Sequence, residues 1–103
     1  MTVRITCEER SRARARLRLE GRLVADGAAL LERECSGLLR SQAAVSLDLA
    51  GVNFVDRAGV DTLARLSRAG VEIHSCPGIV ASVLEGEGIG VVRDADDVGD
   101  RRL

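Results

Sequence analysis

Aromatic side chains are almost absent from this sequence: Phe54 stands alone among 103 residues, with no tryptophan or tyrosine. A core without rings must be built from Leu, Val, Ile and Ala, and a ligand that binds by stacking loses its usual platform. Lysine is missing altogether, and all 15 basic residues are arginine. That bias reads as codon composition, and it supplies planar five-donor guanidinium groups in place of compact ammonium charges. Histidine occurs once, at His74, too few for a histidine-based metal cluster. Cys7, Cys35 and Cys76 are odd in number and widely spaced. They argue against a disulfide framework and for a reducing, cytoplasmic setting. No stretch approaches the ~20 apolar residues needed to cross a bilayer. Met1-Thr2-Val3-Arg4 leads into charged residues without the apolar segment of a signal peptide. A net charge of −1 provides no global attraction to nucleic acid or to an anionic membrane.

What remains is an aliphatic chain, 46% hydrophobic, sized for one domain that buries about 60–70% of its unfolded surface. Thr2–Cys7 alternates as a first strand. After a charged turn at Glu8–Arg12, Ala13, Ala15, Leu17 and Leu19 alternate with Arg14, Arg16 and Arg18, giving a second strand with an apolar and a basic face. Gly21, Leu23 and Val24 close a hairpin. Asp26 is the expected cap of a helix to about Arg40, whose Ala28, Leu31, Cys35, Leu38 and Leu39 fall on one face. Ser41–Ala43 connects it to the central stretch.

That stretch is Val45–Gly59, VSLDLAGVNFVDRAG. Val45, Leu47 and Leu49 alternate as a strand, Gly51 is expected to turn, and Phe54 and Val55 form a second apolar pair. Asp56 is placed to cap a short helix of about ten residues in which Val60, Leu63, Ala64 and Leu66 have helical spacing. Gly70 ends it. Val71–Ser75 is a further strand with Val71 and Ile73 inward. Pro77 opens a helix carrying Ile79, Val80, Val83 and Leu84, which Gly86 and Gly88 terminate. Ile89–Val92 adds a short edge strand. The expected boundaries are a domain over 1–92 and a charged, flexible tail over 93–103. The order β-β-α-β-α-β-α, with right-handed crossovers, predicts an α/β fold with helices mainly on one side of the sheet.

Candidate chemistry is sparse. The arginine stripe of the second strand reads as a solvated face, with phosphate binding as its alternative. His74 is expected on the solvent side of its strand. Cys76, before Pro77 at a helix N-terminus, is a candidate for an activated thiolate that would need an orienting base, for which His74, two positions away on the same face, is not an established partner; a buried small hydrophobe is the alternative. Cys7 and Cys35 read as core. No nucleophile elbow or phosphate-cradling glycine loop is present, and Gly86-Glu87-Gly88-Ile89-Gly90 follows a helix instead of linking a strand to one. No catalytic residue, cofactor or metal ligand is assigned, and no enzyme is predicted.

The stretch LDLAGVNFVDRAGV resembles the signature of STAS domains, the family of anti-sigma-factor antagonists: an apolar strand, L-D-L, a small turn, then F-x-D, a hydroxyl residue, a small residue and Gly-Leu. Leu19-Glu20-Gly21-Arg22-Leu23 is similar to the family's L-x-G-x-L. Cys76-Pro77-Gly78-Ile79-Val80, with Leu84-Glu85 and Gly88-Ile89, is similar to its S-P-x-V…L-x…G segment. The likeness spans residues 2 to about 92. It implies a four- to five-stranded mixed sheet of the SpoIIAA-like kind. It also implies a partner-binding loop at Asp56, Arg57, Ala58 and Gly59, with Val60 and Leu63 packing at or under that surface. In switchable members an anti-sigma kinase phosphorylates the hydroxyl residue after the aspartate, and phosphorylation ends a binding that otherwise frees a sigma factor.

Here that phosphoacceptor-equivalent position is Arg57, followed by Ala58. Neither accepts a phosphate, and Arg57 is expected to present its charge to an acidic patch or an anion. The helix after Gly59 reads as shorter than in the family, and Val24 stands where some members carry an acidic residue. The resulting expectation is a cytoplasmic, non-catalytic interaction module, resembling an anti-sigma-factor antagonist and not switched by phosphorylation at this loop. Its expected partner is a protein, either anti-sigma factor or kinase-like or an ABC-transporter ATPase subunit, with neither nucleic acid binding nor membrane insertion. The alternatives are an accessory subunit of such an ATPase and a nucleotide-binding sensor.

Overall fold

A computed structural model describes residues 3–92; the expected tail over 93–103 lies outside the described residues. Seven elements follow one another: β1 (Val3–Arg10), β2 (Arg14–Leu23), α1 (Ala25–Arg40), β3 (Ala44–Val55), α2 (Arg57–Arg68), β4 (Glu72–His74) and α3 (Gly78–Gly86). The sheet order is β1-β2-β3-β4. β1 pairs antiparallel with β2, and the other neighbours are parallel. Each crossover steps in the same direction across the sheet, so right-handed connections lay α1 and α2 on one face. Beyond α3, Val92 forms a parallel bridge with His74, extending that progression by a single residue pair in place of the expected strand.

The alternation read from the sequence decides which face is covered. Ala15, Leu17 and Leu19 of β2, Val45, Leu47 and Leu49 of β3 and Ile73 of β4 are buried. They pack against Ala28, Leu31, Cys35 and Leu38 of α1, Val60, Leu63 and Leu66 of α2, and Val80 and Leu84 of α3. The opposite sheet face carries Arg16 and Arg18 of β2, with Asp48 of β3 and Glu8 of β1 between and beside them.

Several expectations are corrected by the structure. Ala13 precedes β2 and is exposed. Cys7 is exposed as well. It sits beside a break in the β1–β2 register between Cys7 and Glu9, on an edge strand whose second half runs beyond the core. Gly51 does not turn: β3 continues through it for 12 residues. Instead the β2–β3 register shifts there, Arg18 pairing with Asp48 but Glu20 with Gly51. A side chain at Gly51 would meet the Glu20 Cγ at 2.9 Å, which explains the glycine at this bulge. A second shift follows between Gly21 and Arg22. The two shifts change which residues face in, so Leu49 and Val52 are buried while Phe54 is left 44% exposed. The Arg22 guanidinium covers the Phe54 ring at 4.9 Å from its centroid.

α3 shows the same kind of correction. Ile79 and Val83 lie on its outer side, 79% and 43% exposed, while Val80, Ala81 and Leu84 face the core. α2 is two residues longer than expected, at 12, and Gly70 follows it with φ of 103°. The centre of the core is β3, flanked on both sides and covered by helices. Truncating its fully buried Leu47 to alanine should therefore cost about 2–5 kcal/mol. Urea unfolding followed by circular dichroism checks this, with the midpoint falling at an unchanged slope.

Candidate functional site

β3 ends at Val55, and the chain enters α2 through Asp56, whose backbone is extended with φ of −89°. Its Oδ1 accepts the Gly59 N–H at 2.8 Å, the cap expected from the sequence. Its Oδ2 does something the sequence did not disclose: it accepts the N–H of Ala25, the first residue of α1, at 3.2 Å. The Asp56 N–H in turn donates to the Leu23 carbonyl at 3.2 Å. One residue thus ties the β2–α1 turn to the β3–α2 turn.

This arrangement also corrects the start of α1. The helix begins one residue before Asp26, with Val24 at the cap position and no side-chain cap bond. Asp26 lies within the first turn, where its carboxylate faces the positive end of the helix dipole. The job of satisfying the Ala25 N–H falls to Asp56, 31 residues further along the chain.

Gly59 is fixed by the same close approach. A Cβ there would lie 2.5 Å from the Leu23 carbonyl oxygen and 2.7 Å from the Val55 Cγ1. Only a hydrogen at this position lets the first turn of α2 press against the end of β2. Val60 and Leu63 are buried beneath that turn. They support the surface, and the chain exposes Arg57 at its edge with Ala58 half-buried beside it.

Arg57 does not extend freely into solvent. Its Nε and Nη2 donate to Asp61 Oδ1 at 3.0 and 2.8 Å. Its Nη1 and Nη2 donate to Glu87 Oε2 and Oε1 at 3.3 and 3.1 Å. The side chain stays 65% exposed while it makes these pairs within the chain. The two carboxylates raise the guanidinium pKa above its ordinary value, chiefly by accepting its hydrogen bonds, Glu87 first and then Asp61. The Arg57 hydrogen bond in turn lowers the pKa of Asp61. Asp61 was legible in principle as an i,i+4 partner; Glu87, thirty positions away, was not.

Nearby, Arg65 of α2 reaches Glu32 of α1 through Nε and Nη2, both at 2.8 Å. The same Nη2 donates to the hydroxyl of buried Thr62 at 3.2 Å. The fork from Arg65 lowers the Glu32 pKa. Between α1 and α2 it borders a shallow hollow of about 250 Å³ with Ala28, Ala29 and Ala58 along it.

The other candidate groups are placed elsewhere. Cys76 is half-buried, and burial first, then Glu85 and Asp48, pushes its thiol up to about 11. That is opposite to the thiolate a reactive cysteine requires. Burial likewise pushes Cys35 up to about 12. His74 closes β4 with a side chain only 13% exposed, its Nε2 2.9 Å from Glu72 Oε1. Two arginines of the stripe are paired: Arg16 with Glu8 and Asp48 at 3.5 Å each, Arg18 with Glu8 at 3.4 Å. Among the described residues no group of three or more His, Cys, Asp and Glu is arranged to hold a metal ion. No described helix is long and apolar enough to cross a membrane.

Two outcomes follow from the capped turn. Asp56→Ala should cost about 1–2 kcal/mol in urea unfolding, the upper range of a lost cap, because the Ala25 N–H loses its acceptor too; Asp56→Asn should recover much of the loss. Gly59→Ala should destabilise more than Asp56→Asn, since its clash is with backbone. A third outcome concerns acid. Glu32 and Asp61 have folded pKa values below their ordinary 4.5 and 3.8. Each therefore adds stability above its ordinary value and loses it as pH falls through the lower folded one. Stability measured from pH 7 downward should decline below about pH 4.5, less steeply in a Glu32→Gln/Asp61→Asn double variant.

Comparison with known proteins bears on the fold and the family. The STAS-type family model described as "Mlab, STAS domain" matches residues 7–92. A search of curated proteins finds no match. Among solved structures, the anti-sigma factor antagonist SpoIIAA in its unphosphorylated form superposes with a TM-score of 0.76 at 16% identity, covering 97% of this chain and 100% of that one. The phosphorylated form of the Bacillus cell fate determinant SpoIIAA gives 0.71 at 14% identity, over 96% and 100% of the two chains. An anti-sigma factor antagonist from Mycobacterium paratuberculosis gives 0.70 at 15% identity, over 98% and 96%. At these identities the superpositions establish the shared fold, and the family model matches most of the sequence. The chain belongs to the STAS domain family.

Proposed function

We propose that this protein is a non-catalytic interaction module of the anti-sigma-factor-antagonist class, acting in bacterial transcriptional control in the cytoplasm. Its partner face is the first turn of α2, with Asp56 shaping the loop and Ala58 at the rim. The observation that carries the reading is the chemistry at Arg57. A STAS loop is kept intact, with its capping aspartate and its close-packed glycine. Yet the position after the aspartate has no hydroxyl, and its side chain is already held by Asp61 and Glu87. The face is built to bind without being switched by a phosphate there.

Affinity purification of the tagged chain from its own cells, with mass spectrometry, tests the proposal. The expected catch is an anti-sigma factor or a kinase-like protein. An Ala58→Arg variant, which leaves the Asp56 cap in place, should reduce its recovery about tenfold by blocking a rim contact. Full recovery with that variant would place the partner elsewhere on the domain. An ABC-transporter ATPase in the catch would move the function to that of an accessory subunit. Labelled ATP or GTP bound by the purified chain would favour the nucleotide sensor instead.

A further inference from the structure

Arg57 joins two elements that the core holds separately. Asp61 lies one turn along α2, whereas Glu87 is the residue that closes α3. The guanidinium offers two nitrogens to each carboxylate, at 2.8–3.0 Å for Asp61 and 3.1–3.3 Å for Glu87. Forked contacts of this kind fix orientation as well as distance.

α3 is a short helix at the edge of the helical layer. It is nine residues long with no side-chain cap bond at its start. It is seated through Val80, Ala81 and Leu84, with Ile89 buried just beyond its end, while Ile79 and Val83 remain exposed on its outer side.

We propose that the Arg57–Glu87 pair is a latch: Arg57 is a positioning residue that ties the end of α3 to the first turn of α2 and so fixes the Ile79–Val83 stripe relative to the Asp56 loop. The residue at the phosphoacceptor-equivalent position then regulates the face by holding it in one arrangement. This rests on the partner face proposed above for its purpose, but the latch is measured without any partner, so either idea can fail alone.

Amide exchange and methyl NMR on the full chain provide the test, with circular dichroism confirming the fold of each variant. Arg57→Ala and Glu87→Gln should each speed exchange in residues 80–86 by about two- to five-fold, the range of an exposed ion pair. Both should shift the Ile79 and Val83 methyl signals, leaving α1 and β2 amides unchanged. The double variant should be no worse than either single one, because both remove the same contact. Asp61→Asn should leave α3 exchange close to that of the unaltered chain. Exchanging the charges, with Arg57→Glu and Glu87→Arg together, should restore protection that Arg57→Glu alone removes. Unchanged α3 exchange in both single variants would overturn the latch. So would effects that simply add in the double variant, or a charge exchange without rescue.

Discussion

The carboxylate of Asp56 is the constraint on which the two crossover turns of this fold depend. One oxygen caps α2 and the other accepts from the first backbone N–H of α1. Both helices start with donors that their own turns cannot satisfy, and a single side chain serves one in each. The Leu23 carbonyl, which accepts from the Asp56 N–H, is also the atom against which Gly59 packs. Position 56 therefore sets the spacing of two crossover turns, and position 59 permits it. An aspartate and a glycine three residues apart are the local trace of a contact between segments more than thirty residues apart.

Much of the architecture was legible because it rests on local periodicity. Alternation in β2 and the first half of β3 identified Ala15, Leu17, Leu19, Val45, Leu47 and Leu49 as inward, and they are buried. The three-and-four spacing of Leu31, Cys35 and Leu38 placed one face of α1 correctly. The failures arise where alternation is broken by pairing between strands. Two register shifts in the upper half of β3 turned an expected turn at Gly51 into a bulge and moved Phe54 outward. Those shifts are properties of how β2 and β3 meet, and neither strand states them alone. Ile79 and Val83 misled for a different reason: α3 is apolar on both sides, so periodicity could not say which side meets the sheet.

The site divides along the same line. Asp56 as a cap was readable, since a capping residue acts on its own chain three residues on. That Asp56 also serves α1, and that Arg57 is bound by Glu87, depends on elements brought together only by the crossovers. The sequence therefore shows the cap but not the ion pairs of the neighbouring cation. Arg57 is engaged at both ends of its guanidinium fork while its side chain stays largely exposed.

On the proposed reading, in which Arg57 stands where switchable STAS members carry their phosphoacceptor, that engagement gives the residue a second meaning. A phosphorylated hydroxyl there would add roughly −1.5 to −2 charges beside two carboxylates, Asp61 and Glu87, which already face the position. The like charges would repel, and the close of α3 would be pushed from the start of α2. With arginine the same two carboxylates become ligands. Position 57 thus belongs to a set of three residues in which two carboxylates hold a cation, and the proposed reading takes that set as poorly suited to a phosphate. Restoring a serine alone would return the hydroxyl but leave the acidic pair in place, so the loop would regain an acceptor without regaining surroundings that tolerate its charge. On the proposed reading, permanence of the face is encoded in Asp61 and Glu87 as much as in Arg57.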